Sequence, residues 1–463
     1  MVFSSLIFLF RFIPLFLIAY FVTPRKFRNY TLLAGSLVFY AYGEPLYILL
    51  MLLSIAVNHI FSLCIYNSRG SGRGYLVVAL IYNFGMLFVF KYLGFVISII
   101  NGVAGQSLIP DPGIALPLGI SFYTFQMASY VIDVYRGKYL VSRNPICFAT
   151  YVSMFPQLIA GPIVNYGEIE EELSERKVKF AEIEWGVVLF VMGLAYKVLL
   201  ANNIQSLWND VQQAGVYGIN TQTAWLGSVG FSMQIYFDFF GYSLMAIGLG
   251  HILGFKFPMN FQNPYVSRSA TEFWRRWHIT LGRWFREYVY IPLGGSRNGK
   301  TRMILATFAV WAFTGLWHGA NWNFIIWGMF FFVILMIEKA GLKKILEKIP
   351  VIGHIYMIVL IPVSWTIFNI TDLGDLFLYL KRMFFIPIEG TMLAGAETKF
   401  MALVDRYWWM LLICLVCCTP YPMKFIKRFY KNWACKVMLL ILFWVCVAML
   451  VQGADNPFLY FRF

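Results

Sequence analysis

TEFWRRWHITLGRWFREYVYIPLGG (residues 271–295) and FTGLWHGANW (residues 313–322) are the two pieces around which the chain is organised. The first piece is charged and rich in tryptophan, and the second lies in an apolar run. Two of the five histidines, His278 and His318, fall in these neighbouring pieces. A histidine that titrates near neutrality suits general-base catalysis. We therefore take His318 as the first candidate for a catalytic residue.

The composition decides the class of protein. Of the 463 residues, 60% are hydrophobic and 13% are charged, which gives more apolar surface than one or two soluble cores can bury. A bilayer crossing takes about 20 mostly apolar residues, and such lengths recur between Pro, Gly and clustered Lys or Arg. The sequence predicts an all-α polytopic membrane protein with about eleven spans. We expect a single integral-membrane domain over residues 1–463, with its catalytic core at about residues 114–338.

The formal net charge of +15 has two readings. It could indicate nucleic acid, but positive charge in a polytopic protein usually marks cytoplasmic loops and anionic lipid headgroups. We therefore expect the lipid bilayer as a partner and no nucleic acid. Four cysteines lie inside apolar runs, and none joins histidines at a metal-type spacing. We interpret them as packing residues and expect no metal site.

The N-terminus is predicted to be an anchor that stays on the protein. Residues 1–22 lack a basic leading region and a cleavage site, and they carry Arg11 in their middle. The basic cluster Arg25, Lys26 and Arg28 follows directly. Because such clusters favour the cytoplasmic side, the first residue is predicted to lie outside.

Three further segments carry polar or interrupted patterns. Residues 151–166 contain two internal prolines, which favours a re-entrant or broken helix as much as a span. Residues 168–184 are densely charged, which predicts a solvated surface helix. Asp238 lies in a predicted span over residues 223–239. An acid inside a membrane is costly unless it is paired or faces water, so Asp238 indicates an internal cavity.

The stretch from residue 256 to residue 302 is strongly basic. It holds nine Lys and Arg residues against two Glu residues, a net charge of +7. On a helical wheel one face carries Trp274, His278, Leu281, Phe285 and Tyr288. This pattern predicts one amphipathic helix with tryptophans at headgroup depth on the cytoplasmic side. Its arginines either hold lipid phosphates or, at Arg275 and Arg276, meet the phosphates of a nucleotide-bearing substrate.

The surroundings of His318 favour a site at membrane depth. Gly315 and Gly319 flank the histidine at a spacing that lets another helix, or an extended substrate, approach the backbone closely. Asn321 and Asn323 add hydrogen-bonding groups. The alternative is a buried histidine that a backbone carbonyl satisfies.

Taken together, these motifs resemble a known family, the membrane-bound O-acyltransferases. Within it they are similar to the bacterial alginate O-acetyltransferase branch, which serves polysaccharide and peptidoglycan O-acetylation. The resemblance covers nearly the whole chain and rests on the runs LPLGISFYTFQ, FPQLIAGPI, YFDFFGYS, WRRWHITLGRWFREYVYIPLGG, GLWHGANW and NPFLYFRF, the last at residues 456–463. One departure concerns Phe240 and Leu244, where relatives often have Ser and Asp, so we expect a different acceptor specificity.

The resemblance implies both a fold and a set of roles. The fold would be a ring of tilted helices around a central tunnel, with short re-entrant and amphipathic cytoplasmic helices. His318 corresponds to the family's catalytic histidine and His278 to its second motif residue. His318 would act as general base on an acceptor hydroxyl or carry the acetyl group on its ring. His278, Asn321 and Asp238 would orient it or polarise the thioester.

The resemblance also implies substrates and a location. The donor would be acetyl-CoA, as a substrate and not a bound cofactor, with its charged head at the basic cytoplasmic face. The candidate donor-binding residues are Arg275, Arg276, Trp274 and Trp317. The acceptor would be an extracytoplasmic protein or polysaccharide of the alginate, peptidoglycan or exopolysaccharide type. The protein would lie in the bacterial cytoplasmic membrane.

Two other functions compete with acetyl transfer. One is D-alanyl transfer from a carrier protein in teichoic acid synthesis, since those relatives share the WRRWH and GLWHG motifs. The IPLGG run and the NPF ending favour the O-acetyl branch over it. The other is a transporter or flippase of a lipid-linked saccharide, although the chain has no evident internal repeat.

Overall fold

The structure is a computed structural model that describes residues 1–68, 71–159, 161–386, 396–453 and 458–459. These residues form helices and connecting loops, with no strand among them, and the all-α prediction is confirmed. Of the closing motif at residues 456–463, Phe458 and Leu459 lie within the described residues.

The helices of seven or more residues are numbered here in chain order. They are α1 (Phe8–Val22), α2 (Arg28–Gly43), α3 (Tyr47–Asn67), α4 (Arg73–Ala104), α5 (Ile120–Tyr135), α6 (Pro145–Ser153), α7 (Phe180–Ala214), α8 (Thr221–Leu253), α9 (Ala270–Arg276), α10 (Ile279–Phe285), α11 (Lys300–His318), α12 (Trp322–Lys348), α13 (Pro350–Asn369), α14 (Leu373–Met383), α15 (Ala396–Cys418), α16 (Tyr421–Phe429) and α17 (Trp433–Gln452).

Eight helices in the described part of the chain are long and apolar enough to cross a bilayer, namely α3, α4, α7, α8, α12, α13, α15 and α17. The sequence predicted about eleven spans. α1 is apolar but shorter. α11 has 19 residues but begins with Lys300 and Arg302 and ends with His318, so its composition is more polar. The helix that ends at the candidate histidine is therefore not among the eight.

The chain divides into two compact units, and the first comprises Met1–Phe190 and Tyr242–Pro258. Within this unit α3 and α4 are joined by two buried amides: Asn58 Nδ2 donates to Asn83 Oδ1 at 3.0 Å and Asn83 Nδ2 donates to Asn58 Oδ1 at 2.7 Å. Such a reciprocal pair satisfies polar groups that lipid could not. The single-domain assignment stays a prediction.

Two sequence predictions fall in this first unit. For residues 151–166 the sequence left open a re-entrant or broken helix and a span, and the structure has a break: α6 ends at Ser153 before a separate turn at Phe155–Leu158. The single surface helix over residues 168–184 is wrong. A short turn at Glu170–Ser174 gives way to extended backbone at Glu175, and α7 begins at Phe180. A segment this densely charged has few apolar side chains with which to pack a long helix against the protein.

The second unit comprises Val191–Gly241 and Met259–Phe463, and it contains all the candidate site residues. Its centre is a helical hairpin of α11 and α12. α13 packs against α12, and α9 adds its tryptophan to the same core. The core is largely aromatic and consists of Trp274, Trp311, Trp327, Phe331 and Trp365. Aromatic pairs of this kind fill large volumes with defined ring geometry.

Candidate active site

The position of His318 follows from how closely α11 and α12 pack. A Cβ atom added at Gly315 would lie 2.5 Å from the carbonyl oxygen of Phe324, and one added at Gly328 would lie 2.5 Å from the carbonyl oxygen of Trp311. Only glycines at these two positions allow the backbones to approach so closely. The sequence left open whether a helix or a substrate uses this approach at Gly315. The structure shows that α12 uses it.

His318 is the last residue of α11 and is 6% exposed. Its ring makes edge-to-face contacts with Trp317 at 5.0 Å, Trp327 at 5.0 Å and Phe368 at 5.1 Å between ring centroids. These rings come from α11, α12 and α13. The imidazole is therefore enclosed by aromatic walls and does not lie on the outer surface of its unit.

His278 lies at a break between α9 and α10, where its backbone is left-handed with φ 45° and ψ 51°. The predicted single amphipathic helix through this residue is therefore wrong. The break is stabilised by Asn260, whose side-chain oxygen accepts from the Thr280 amide at 3.3 Å and the Thr280 hydroxyl at 3.0 Å. A backbone carbonyl of Asn260 also accepts from the Ile279 amide at 3.0 Å. Such anchoring offsets the strain of a left-handed non-glycine residue.

Asn260 also defines the proton position on His278. Its Oδ1 atom lies 3.2 Å from Nδ1 of His278. Because this oxygen can only accept, Nδ1 must carry the hydrogen, and Nε2 of the neutral ring is the acceptor. Complete burial lowers the pKa of His278 to about 3, so the ring stays neutral at physiological pH. A neutral imidazole with a lone pair on Nε2 can accept a hydrogen bond.

Trp317 brings the two histidines together. Its ring is 5.8 Å from the ring of His278 and 5.0 Å from that of His318, and it is 3% exposed. The two sequence motifs thus meet at one indole. Trp317 is a buried wall between two imidazoles, and its role in binding a donor stays a prediction.

The two asparagines after His318 have different partners. Asn321 caps α12, with its side-chain oxygen 2.6 Å from the Trp322 amide. Asn323 is completely buried and its side-chain amide donates to the carbonyl of Phe368 at 2.7 Å and that of Ile367 at 3.3 Å. Asn323 therefore ties α12 to the end of α13, which carries a ring that touches His318. The sequence signal for this role was an asparagine within an apolar run.

Asp238 is a buried acid of α8 with partners other than the histidines. Its Oδ1 pairs with Nζ of Lys197 in α7, and its Oδ2 accepts from the Leu459 amide at 2.8 Å. Among the described residues these are its polar contacts, so a direct role in orienting His318 has no support in this geometry. The sequence search missed Lys197. A lysine in the apolar run VMGLAYKVLLA was the available signal.

The candidate donor-binding residues of α9 are mostly engaged within the protein. Arg276 pairs with Glu272 at 2.7 Å and donates to the carbonyl of Gln262 at 3.3 Å. Trp274 packs edge-to-face against Trp311 and against rings of α12, so it is a core residue and not a headgroup anchor. Arg275 is exposed and is the cation that α9 leaves accessible to a ligand.

Comparisons with known proteins bear on the family of this chain. A family model described as MBOAT, membrane-bound O-acyltransferase family, matches residues 140–345. The chain is similar to a probable alginate O-acetylase, AlgI, of Azotobacter vinelandii, with 38% identity over 381 residues that cover 81% of this chain and 76% of that protein. It is 32% identical to a peptidoglycan O-acetyltransferase of Helicobacter pylori over 444 residues, which cover 88% of this chain and 84% of that protein.

A third relative is more distant. A teichoic acid D-alanyltransferase of Streptococcus thermophilus is 30% identical over 244 residues, which cover 49% of this chain and 58% of that protein. The two O-acetylase relatives match over most of their length, and the matched region contains both histidines that meet at Trp317. The chain belongs to the membrane-bound O-acyltransferase family and is an O-acyltransferase.

Proposed function

We propose that this protein moves an acetyl group from cytoplasmic acetyl-CoA through the membrane for the O-acetylation of an extracytoplasmic polysaccharide. The observation that carries the proposal is the extended similarity to a relative named as an alginate O-acetylase and to one named as a peptidoglycan O-acetyltransferase. The meeting of His278 and His318 at Trp317 supports it, because acyl transfer to a hydroxyl needs a base beside the thioester.

The chemistry is a direct transfer in which His318 acts as general base. The acceptor hydroxyl gives its proton to the imidazole while its oxygen attacks the thioester carbonyl, and the new ester forms as the carbon–sulfur bond breaks. The proton then passes from the imidazolium to the departing thiolate. If the ring carries the acetyl group instead, its nitrogen attacks the thioester carbonyl and the CoA thiolate leaves. In a second step the acceptor oxygen attacks the acetyl carbon, the carbon–nitrogen bond breaks, and the hydroxyl proton passes to the freed ring nitrogen. His278 assists by accepting a hydrogen bond at Nε2, while its Nδ1–H group donates to Oδ1 of Asn260.

The direction of transfer follows from charge. Acetyl-CoA is too highly charged to cross the bilayer, so its head stays on the side of the basic loops, with Arg275 as the first contact. The N-terminus then lies outside, the protein lies in the bacterial cytoplasmic membrane, and the acetyl group reaches the acceptor through a tunnel. An extracytoplasmic partner protein receives the group and completes polysaccharide acetylation.

The test uses purified full-length protein in nanodiscs with labelled acetyl-CoA and single candidate acceptors. His318→Ala is expected to lower the rate of acetyl transfer by about 100- to 10,000-fold, as expected for loss of a general base. His354→Ala is the matched control, because His354 is an exposed histidine of the same unit. Equal transfer by wild type and His318→Ala would rule out the proposed role of this imidazole.

D-alanyl transfer is the second candidate, and the match to a teichoic acid D-alanyltransferase favours it. The same preparation should be supplied with a D-alanyl carrier protein in place of acetyl-CoA. Release of free CoA thiol from acetyl-CoA supports acetyl transfer. Turnover that depends on the carrier protein alone supports D-alanyl transfer. Saccharide movement that persists in His318→Ala would favour a flippase.

A further inference from the structure

The buried ion pair between Lys197 and Asp238 has no place in the chemistry described above. The two side chains are 3% and 2% exposed, and they belong to α7 and α8, both of which are long enough to cross a bilayer. A lone charge at such a position is costly, and a buried pair is retained only where its remaining hydrogen-bonding capacity is used. The other contacts of the two side chains therefore indicate the role of the ion pair.

The backbone is arranged so that this pair can form. Lys197 lies in a wide π-helical turn at Tyr196–Ala201, a local geometry that is often found at functional sites. A Cβ atom added at Gly241 would lie 2.6 Å from the carbonyl oxygen of Gly193 and 2.9 Å from the amide nitrogen of Lys197. The glycine therefore brings α8 close to α7 one turn from Asp238. Two independent features of the backbone serve the same contact.

The second carboxylate oxygen holds a distant part of the chain. Asp238 Oδ2 accepts from the backbone amide of Leu459 at 2.8 Å, across 221 positions of sequence. The neighbouring Phe458 is 1% exposed and its ring lies 5.8 Å from that of Phe239. Phe239 in turn makes an edge-to-face contact with His278 at 4.8 Å. A continuous series of contacts thus leads from the ion pair through the C-terminal residues to the second motif histidine.

We propose that Lys197 and Asp238 are positioning residues that fix residues 458–459 against Phe239 and thereby hold His278 in place for acyl transfer. Lys197 balances the charge of the carboxylate, so that the carboxylate keeps an oxygen for the Leu459 amide. The pair acts through packing and does not touch the reacting atoms. This inference rests on the proposed function for its kinetic consequence, whereas the contact itself can be measured without any activity.

The first experiment measures the contact. Hydrogen exchange of the single Leu459 amide is followed by mass spectrometry with fragmentation, in purified full-length protein. Asp238→Leu removes the acceptor of this amide, and Lys197→Met removes the cation that balances the charge of that acceptor. Each is expected to speed exchange of the Leu459 amide by at least about tenfold. Asp210→Leu is the matched control: it removes a partly exposed carboxylate that meets Arg406 at 3.1 Å and Tyr407 at 2.9 Å. Its Leu459 amide should exchange as in wild type.

The second experiment removes the donor and leaves the ion pair intact. Leu459→Pro has no amide hydrogen, whereas Leu459→Ala keeps it. We expect kcat for acetyl transfer to fall at least about tenfold further in Leu459→Pro than in Leu459→Ala, with KM for acetyl-CoA within about twofold of wild type. Lys197→Arg, which keeps the charge, should restore more activity than Lys197→Met.

The outcomes separate the possibilities. Unchanged Leu459 exchange in both Lys197→Met and Asp238→Leu, or equal kcat in the proline and alanine variants, overturns the inference. If the ion-pair variants fail to fold, the two substitutions at Leu459 decide alone, since they leave α7 and α8 untouched. If wild type transfers no acetyl group at all, the proposed function fails, and the exchange experiment still tests the contact.

Discussion

Replacing Glu338 tests whether a buried carboxylate of α12 holds α9 in position. This acid lies on α12 and is 1% exposed. Its Oε1 accepts from the Ala270 amide at 2.6 Å, and its Oε2 accepts from the Thr271 amide at 2.9 Å and the Thr271 hydroxyl at 2.6 Å. The carboxylate therefore satisfies the first amides of α9, where the helix dipole is positive. We expect Glu338 to set the position of α9, which carries Trp274 into the aromatic core.

The magnitude follows from the groups left behind. Glu338→Ala leaves two backbone amides without their acceptor, and each buried unsatisfied group costs about 1–3 kcal/mol, so the free energy of unfolding should fall by about 2–6 kcal/mol. Glu338→Gln keeps one acceptor oxygen and loses the charge. Because charge-assisted hydrogen bonds are about twice as strong as neutral ones, this variant should lose about 1–3 kcal/mol.

The assay is denaturant unfolding of the purified protein in mixed micelles, followed by tryptophan fluorescence. Glu347→Ala is the control, because Glu347 is 56% exposed and its contact with Lys343 is 3.5 Å. Exposed pairs contribute about 0–1 kcal/mol. If Glu338→Ala unfolds at the same denaturant concentration as Glu347→Ala, the carboxylate does not support α9 and the reasoning is refuted.

Three further predictions concern the two histidines and the donor. Gly315→Ala places a methyl group 2.5 Å from a carbonyl oxygen of α12. It should lower the free energy of unfolding by about 1–3 kcal/mol and remove most acetyl transfer. Gly102→Ala, at a site with open space, is the control in the unfolding and transfer measurements. Asn260→Leu removes the acceptor of His278 Nδ1 and should lower kcat about 10- to 100-fold, by analogy with other hydrogen bonds that orient a histidine, whereas Asn260→Asp keeps the acceptor and should retain more activity. Arg275→Gln should raise KM for acetyl-CoA about fivefold if the exposed guanidinium meets the donor phosphates; unchanged kinetics would assign it to lipid.

Composition predicted the class of fold, and motif spacing singled out two histidines whose roles stay predictions. Long apolar runs form helices in a bilayer, so the all-α class can be predicted from the sequence. Their number is less certain, since about eleven spans were expected and eight helices of the described residues are long and apolar enough to cross. The helix break at His278 could not be predicted from the sequence, because a helical wheel assumes a continuous helical backbone. The left-handed conformation at His278 is stabilised by Asn260, which lies 18 positions away on another segment. Local pattern could not have shown that contact.

Asp238 illustrates a second limit of sequence reasoning. Its burial in an apolar helix correctly indicated that it must be paired or hydrated. The identity of the partner depended on the crossing of α7 and α8, which brings Gly193 and Gly241 together. A glycine on one helix and a lysine on another carry no shared signal within a single sequence. The sequence analysis therefore favoured an internal cavity at Asp238, whereas the structure gives its carboxylate a buried partner in Lys197.

The position of Trp274 also differs from the sequence prediction, and the surroundings of the two histidines differ from each other. Trp274 was expected at the headgroups but lies in the ring cluster of α9, α11 and α12. The same cluster forms part of the wall around His318, whose contacts with Trp317, Trp327 and Phe368 are edge-to-face. His278 also packs edge-to-face against Phe239, but in addition it donates to Asn260, an acceptor that fixes its tautomer.

Substitutions should therefore change the orientation of the two imidazole rings in different ways. The orientation of His318 should respond to changes in the volume of its aromatic neighbours, because ring packing sets it. That of His278 should respond to loss of an acceptor atom even when volume is kept. Since both rings touch Trp317, a smaller side chain at that position should disturb both at once. The rate loss of a variant that combines a Trp317 substitution with a substitution of His278 or His318 should therefore be smaller than the product of the two single losses. Each histidine variant already removes part of the arrangement that Trp317 supports.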